Sequence, residues 1–146
     1  MKFSNPFRPT NTVFAHCDGP CGVYDPASAR IAAEAALSME KKIAALGDAQ
    51  DPASINSRTR YILIKEEQAE IAKENLNILW TDYFKPEHLE KYPKLAETFW
   101  KAAKLCSKNK VEQDPSNGEA LLVAIEEIHN IFWATKNREV AFYRAS

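Results

Sequence analysis

Glycine is scarce in this 146-residue chain, with four in all, and no convincing run of alternating polar and apolar residues occurs. Sheet-rich folds use both, for tight hairpin turns and for one-sided strands, so their scarcity argues against one. Charge of one sign is also missing. The 19 basic and 20 acidic side chains leave a formal net charge of −1, which offers no basic footprint for nucleic acid. No apolar stretch approaches the roughly 20 residues that span a bilayer, so no membrane segment is expected. Three cysteines are too few for a disulfide framework; two are clustered and one stands alone, a pattern that suits a reducing compartment with one local thiol site. Internal repeats and low-complexity tracts are missing as well. The length fits one domain, and 45% apolar residues suffice for a true core.

What the chain does have is helical periodicity. Asp25-Pro26 reads as a helix start, with Asp as N-cap and Pro in the first turn. Ile31, Ala35, Met39, Ile43 and Leu46 then recur at three- and four-residue steps, and Gly47 stops the run. A second helix is expected from about Ser54, after Asp51-Pro52, with Ile62, Ala69, Ala72, Leu76 and Leu79 inward. Pro86 ends it near Trp80–Phe84 by disfavouring helical geometry at Lys85. Residues 86–92 form at most a short turn of helix. Pro93 opens a third long helix with Leu95, Phe99, Ala102 and Cys106 on one stripe; Cys106 is thus expected to be a buried core thiol. After Asp114-Pro115, Ser116 and Glu119 have capping-box spacing, followed by Leu121, Ile125, Ile128 and Phe132. The tail beyond Lys136 is left open between extension and fraying. Four amphipathic helices with short connections define an all-α, up-down-up-down four-helix bundle over residues 26–146.

Ahead of the helices lies the run His16-Cys17-Asp18-Gly19-Pro20-Cys21-Gly22-Val23-Tyr24. It sets an imidazole and two thiols within six residues, outside any helix. Residues 1–15 before it carry Lys2 and Arg8 and no acid, yet are too polar for a secretory signal, so they read as a removable pro-segment. Cleavage after Ala15 would leave 17 basic and 20 acidic side chains, −3 in all, and would make His16 the N-terminus. Its amine and the Cys17 amide nitrogen could then close one chelate ring, and the Cys17 thiolate a second, with Cys21 returning another sulfur. Two nitrogens and two thiolates in a plane suit nickel(II) or copper(II), whereas zinc prefers a tetrahedral set. Gly19-Pro20 supplies the tight return. On spacing alone the two thiols could also be a small-loop disulfide or a free pair. His88 and His129 lack metal partners at helical spacing, which favours structural roles.

The run His16 to Pro26 closely resembles the metal hook of the nickel-containing superoxide dismutases. Residues Leu79 to Pro86, with Glu90-Lys91-Tyr92-Pro93, resemble that family's second signature, and Ile131 to Lys136 its third. The resemblance implies a bundle assembled into a homohexamer in the cytoplasm, a peptidase cutting between Ala15 and His16, and one nickel ion per subunit. It implies disproportionation of superoxide to oxygen and hydrogen peroxide, an antioxidant activity. His16 (amine and axial imidazole), Cys17 (amide nitrogen and thiolate) and Cys21 (thiolate) match the ligands. Tyr24 and Tyr83 match tyrosines at the open face of the metal, Asp18 and Pro20 match residues that shape the hook, and Lys85 matches a lysine that attracts the anion. Two positions depart from the pattern: a glutamate and an arginine that steady the axial imidazole correspond to Ala32 and Gln68. Glu67 or Gln68 could take their place. The competing readings are a nickel or copper carrier without turnover, which would have no need of paired phenols, and a helical interaction protein with a thiol switch.

Overall fold

The computed structural model describes residues 21–145; His16, Cys17, Asp18, Pro20 and the proposed cleavage point lie outside them. Four long helices, α1 (Ala27–Leu46), α2 (Pro52–Ile78), α4 (Leu95–Val111) and α5 (Pro115–Thr135), surround one core, with a short α3 (Pro86–Lys91) between α2 and α4. Each long helix packs on two others, α1 on α2, α2 on α4, α4 on α5 and α5 on α1, closing a four-helix ring. No helix among the described residues is long and apolar enough to cross a membrane.

Aspartate followed by proline starts α1, α2 and α5, whereas α4 begins at Leu95 after Lys94, two residues beyond Pro93. Asp51 accepts the amides of Ala53 and Ser54 at 3.1 and 3.0 Å, so α2 begins at Pro52, two residues before the sequence expectation. Asp114, not Ser116, caps α5: its carboxylate accepts the Ser116 amide at 2.9 Å and the Ser116 hydroxyl at 2.7 Å. The expected capping box is therefore not formed. Glu119 turns instead to Lys41 and Arg144. Asp25 accepts the Ala27 amide at 2.8 Å and so anchors the start of α1. In each case a side-chain oxygen satisfies a first-turn N–H, and proline has no N–H to lose there.

The stripes expected on α4 and α5 are buried as read, with Leu95, Phe99, Ala102, Cys106, Leu121, Ile125, Ile128 and Phe132 in the core. Burial pushes the Cys106 thiol up to about 12, so it stays protonated. The α1 stripe needs correction. Ile31 is 58% exposed, Ala35 and Met39 are half-buried, and the inward face is Ala29, Ala32, Ala33, Ala36, Leu37, Glu40 and Ile43. Small alanines let α1 approach α2, which answers with Ala69 and Ala72, because interaxial distance follows the side chains at the contact. Close approach also fixes Gly118: a Cβ there would stand 2.7 Å from Glu40 Oε2 and 3.0 Å from Leu37 Cβ.

Beyond α5 the chain neither prolongs the helix nor frays. Asn137 adopts a left-handed conformation (φ 53°), with its amide bonded to Ala134 O and the Arg138 amide to Trp133 O. This is the Schellman reversal, and asparagine tolerates it better than most residues. Residues 138–145 then run back along the bundle.

Candidate metal centre

The site lies where α1 begins and α2 ends. Cys21 carries a free, exposed thiol, Gly22 turns the backbone with φ 63°, and the chain enters the bundle at half-buried Tyr24. The last turn of α2 widens into a π-helical turn, Leu79–Tyr83, closed by the Phe84 amide on Leu79 O at 3.1 Å. Such turns shift the register of the downstream chain and are frequent at functional sites. Here the shift delivers Tyr83 to the start of α1, its ring 5.7 Å from that of Tyr24.

Tyr83 is held from several sides. Its ring contacts Phe132 at 4.5 Å, Phe84 edge-on at 5.0 Å and His88 in a stack at 5.8 Å. Its phenol lies 2.5 Å from Thr135 Oγ1, which donates its own proton to Phe132 O at 2.6 Å. A hydroxyl has one proton, so Thr135 must accept and Tyr83 must donate. The phenol is thereby oriented, with its lone pairs left to accept. His88 is oriented too: its Nδ1 accepts the Lys85 amide at 3.0 Å.

The two tyrosines expected at the site are therefore brought together. Lys85 is exposed, in extended backbone just before α3, and borders a depression with Trp80, Thr81, Phe84, Pro86 and Leu89. Tyr24 borders a different cleft, of about 310 Å³, with Val23, Asp25, Ser28, Asn75, Ile78 and Leu79. The cation seated on the tyrosine is Lys136, whose Nζ lies 5.1 Å from the ring centres of both Tyr83 and Phe132. Sequence reasoning does not find Lys136, Thr135 and His88 as neighbours of Tyr83 because they lie on elements other than its own; the hint is that Thr135 and Lys136 end the third signature. Ala32 is buried in the core, Glu67 is exposed, and half-buried Gln68 sits about 16 Å down α2 from the π-helical turn.

Among the described residues no three His, Cys, Asp or Glu side chains lie together as a metal site. A metal at Cys21 would need its other donors from the residues just before it, where His16 and Cys17 stand. An exposed thiol three residues before Tyr24, whose ring meets that of Tyr83, fits such a hook. Thiolate with nitrogen donors is a set that suits nickel.

Comparison with known proteins agrees. The model of the family described as nickel-containing superoxide dismutase matches residues 11–136. The superoxide dismutase [Ni] of Streptomyces coelicolor is 46% identical over 130 residues, covering 89% of this chain and 95% of that protein. That of Streptomyces seoulensis matches with the same identity and coverage. The native structure of nickel superoxide dismutase superposes with a TM-score of 0.76 at 46% identity, over 84% of this chain and all of the other. An apo structure gives 0.72 at 43%, covering 80% of this chain and 99% of the other. The fold and the site define a helical-bundle metalloenzyme class, and the chain belongs to the nickel-containing superoxide dismutase family.

Proposed function

We propose that the chain, once cut between Ala15 and His16, disproportionates superoxide, two superoxide anions and two protons giving one oxygen and one hydrogen peroxide. The observation that carries this reading is the Tyr24–Tyr83 ring pair, three residues along the chain from the exposed Cys21, in a chain of this family. His16, Cys17 and Cys21 would hold one nickel ion, which supplies the alternating one-electron acceptance and donation. The protein's own residues do the rest. Lys136 and Lys85 draw the anion toward a protein that is net acidic after processing, and a local cationic funnel of this kind raises encounter rates. Tyr83, fixed as a donor to Thr135, keeps acceptor lone pairs for ordered water, and Tyr24 narrows the approach. Both exclude larger molecules from the thiolates.

The same reading takes residues 1–15 as a pro-segment, residues 16–25 as the hook and residues 26–146 as the bundle, acting as an antioxidant in the cytoplasm. It also takes the assembly as a homohexamer. Exposed Ile31, Leu63, Trp100 and Val123, each at least 58% accessible, support burial against further subunits.

The test compares the intact chain with the chain starting at His16, for bound nickel and for superoxide consumption. Activity confined to the shorter, nickel-loaded form is expected. Equal activity in both would overturn the terminal-amine chemistry, and nickel uptake without turnover would favour a carrier.

A further inference from the structure

We propose that residues 138–145 form a strap that latches the α1–α5 seam and so positions the helix that carries the metal hook. This rests on the reading of residues 16–25 as that hook. Around the ring, α1–α2, α2–α4 and α4–α5 are each joined by the chain segment between them, whereas α1 and α5 meet with no such connection. That seam separates the two halves of the site. The chain of the hook runs into α1, and Phe132, Thr135 and Lys136, which hold Tyr83, belong to the end of α5.

The strap is fastened along its length to both helices. After the reversal at Asn137, the Arg138 guanidinium covers the Trp133 ring at 4.8 Å. His129 Nε2–H donates to Val140 O at 2.9 Å, and Phe142 packs edge-on against the same imidazole at 5.3 Å. Arg144 pairs with Glu119 at 2.8 Å, and Glu119 also holds Lys41 of α1 at 2.9 Å. Four strap residues thus cover about 13 Å while ten residues of α5 cover about 15 Å, so the strap runs extended and antiparallel to α5.

The contact that decides the matter is on α1. Glu34 is 6% exposed; its Oε1 takes Arg30 at 2.9 Å and its Oε2 takes the backbone amide of Ala145 at 2.8 Å. A nearly buried carboxylate needs such donors, and the strap supplies one of the two. Near the hook, Val140, Ala141 and Tyr143 close a small cavity against Asp25, Ala27 and Arg30, the root of α1. The family match ends at residue 136, just before the strap begins, so this latch is a feature of the chain outside the matched region.

The test is hydrogen exchange on the full chain and on the double variant Phe142→Ala/Ala145→Pro, which removes the ring anchor and the N–H that Glu34 accepts. Amides of residues 29–36 should exchange at least tenfold faster, with those of α4 unchanged. Nickel release to a chelator from the processed, loaded variant should be at least fivefold faster, with a changed electron paramagnetic resonance spectrum. The single variant Phe142→Leu, which keeps an apolar anchor and the Ala145 amide, should stay close to the wild type in both. Unchanged exchange, an equal rise in all four long helices, or faster α1 exchange with nickel release and spectrum unaltered would each overturn the strap. Wild-type protein that takes up no nickel would instead overturn the reading of the hook and this inference with it.

Discussion

One end of the bundle is filled with rings and the other with buried polar groups. Around Tyr83 the interior is Phe84, Phe99, Phe132 and flanking Tyr24, Trp80 and His88, and the polar atoms sit at ring tips and edges. At the far end Glu40, Lys65 and Asn109 are 2% exposed or less, and Asn117 is 4% exposed. Lys65 Nζ donates to the carbonyls of Lys110 and Glu112 at 3.0 and 2.7 Å, closing the end of α4. Neither oxygen of Glu40 has a hydrogen-bond partner there, nor does the Asn109 side-chain oxygen. The two ends of the bundle divide the work. The ring end builds an apolar wall around Tyr83, and the nearly buried Glu34 carboxylate on α1 is held by Arg30 and the Ala145 amide. The polar end carries charges that remove much of their own benefit by desolvation.

The comparison breaks most visibly at the ring end's edge. Cys21→Ser should abolish nickel uptake and cut superoxide consumption by about 100-fold or more, since a hydroxyl is a poor soft donor. The thermal midpoint of the metal-free chain should not move. A serine variant that keeps nickel would remove Cys21 from the ligand set.

At the polar end the expected effect falls on stability alone. Lys65→Met removes the donor to two helix-end carbonyls and the charge that opposes Glu40, and should cost about 2–4 kcal/mol in denaturant unfolding. The same variant, folded and nickel-loaded, should show an unchanged kcat/KM. A lowered kcat/KM would mean that the two ends are coupled.

Glu40 sharpens the contrast through pH. Burial raises its carboxyl to about 7, with Lys65 opposing and Asp114 adding to the rise. Below the unfolded value of 4.5 both states hold the proton and there is no penalty. As pH climbs toward 7 the unfolded chain ionises while the folded one does not, so stability falls by an amount on the order of 3 kcal/mol, complete above 7. Glu40→Gln should be more stable than the wild type near neutrality, and the gap should close toward pH 4.5. A gap independent of pH would show that Glu40 is ionised in the fold.

The smallest effect is kinetic. Lys136→Met should lower kcat/KM several-fold at low salt and flatten its salt dependence, with Lys85→Met doing less because its side chain borders another depression. Equal effects from the two would mean that both face the approaching anion.

Much of this was legible in the sequence where periodicity and local chemistry agree. The stripes of α4 and α5 are carried by large apolar residues with no competing face. Alanine is ambiguous: on α1 it marks close approach, while the larger Ile31 stays outside, so the face was read one step around the helix. Asp114 and Ser116 both offer an N-cap oxygen, and only the folded turn selects between them. Lys65 and Glu40 look like surface residues in a sequence because nothing local says that carbonyls and a glycine await them.

The all-helical architecture, the breaks at each Asp-Pro and the order of His16, Cys17 and Cys21 can be read along the chain. These depend on residues within a few positions of one another. The tertiary structure alone decided which cation lies on Tyr83, which proton its phenol gives to Thr135, and that the tail returns to Glu34. Each of these joins groups 50 to more than 100 residues apart, and only packing brings such groups within reach.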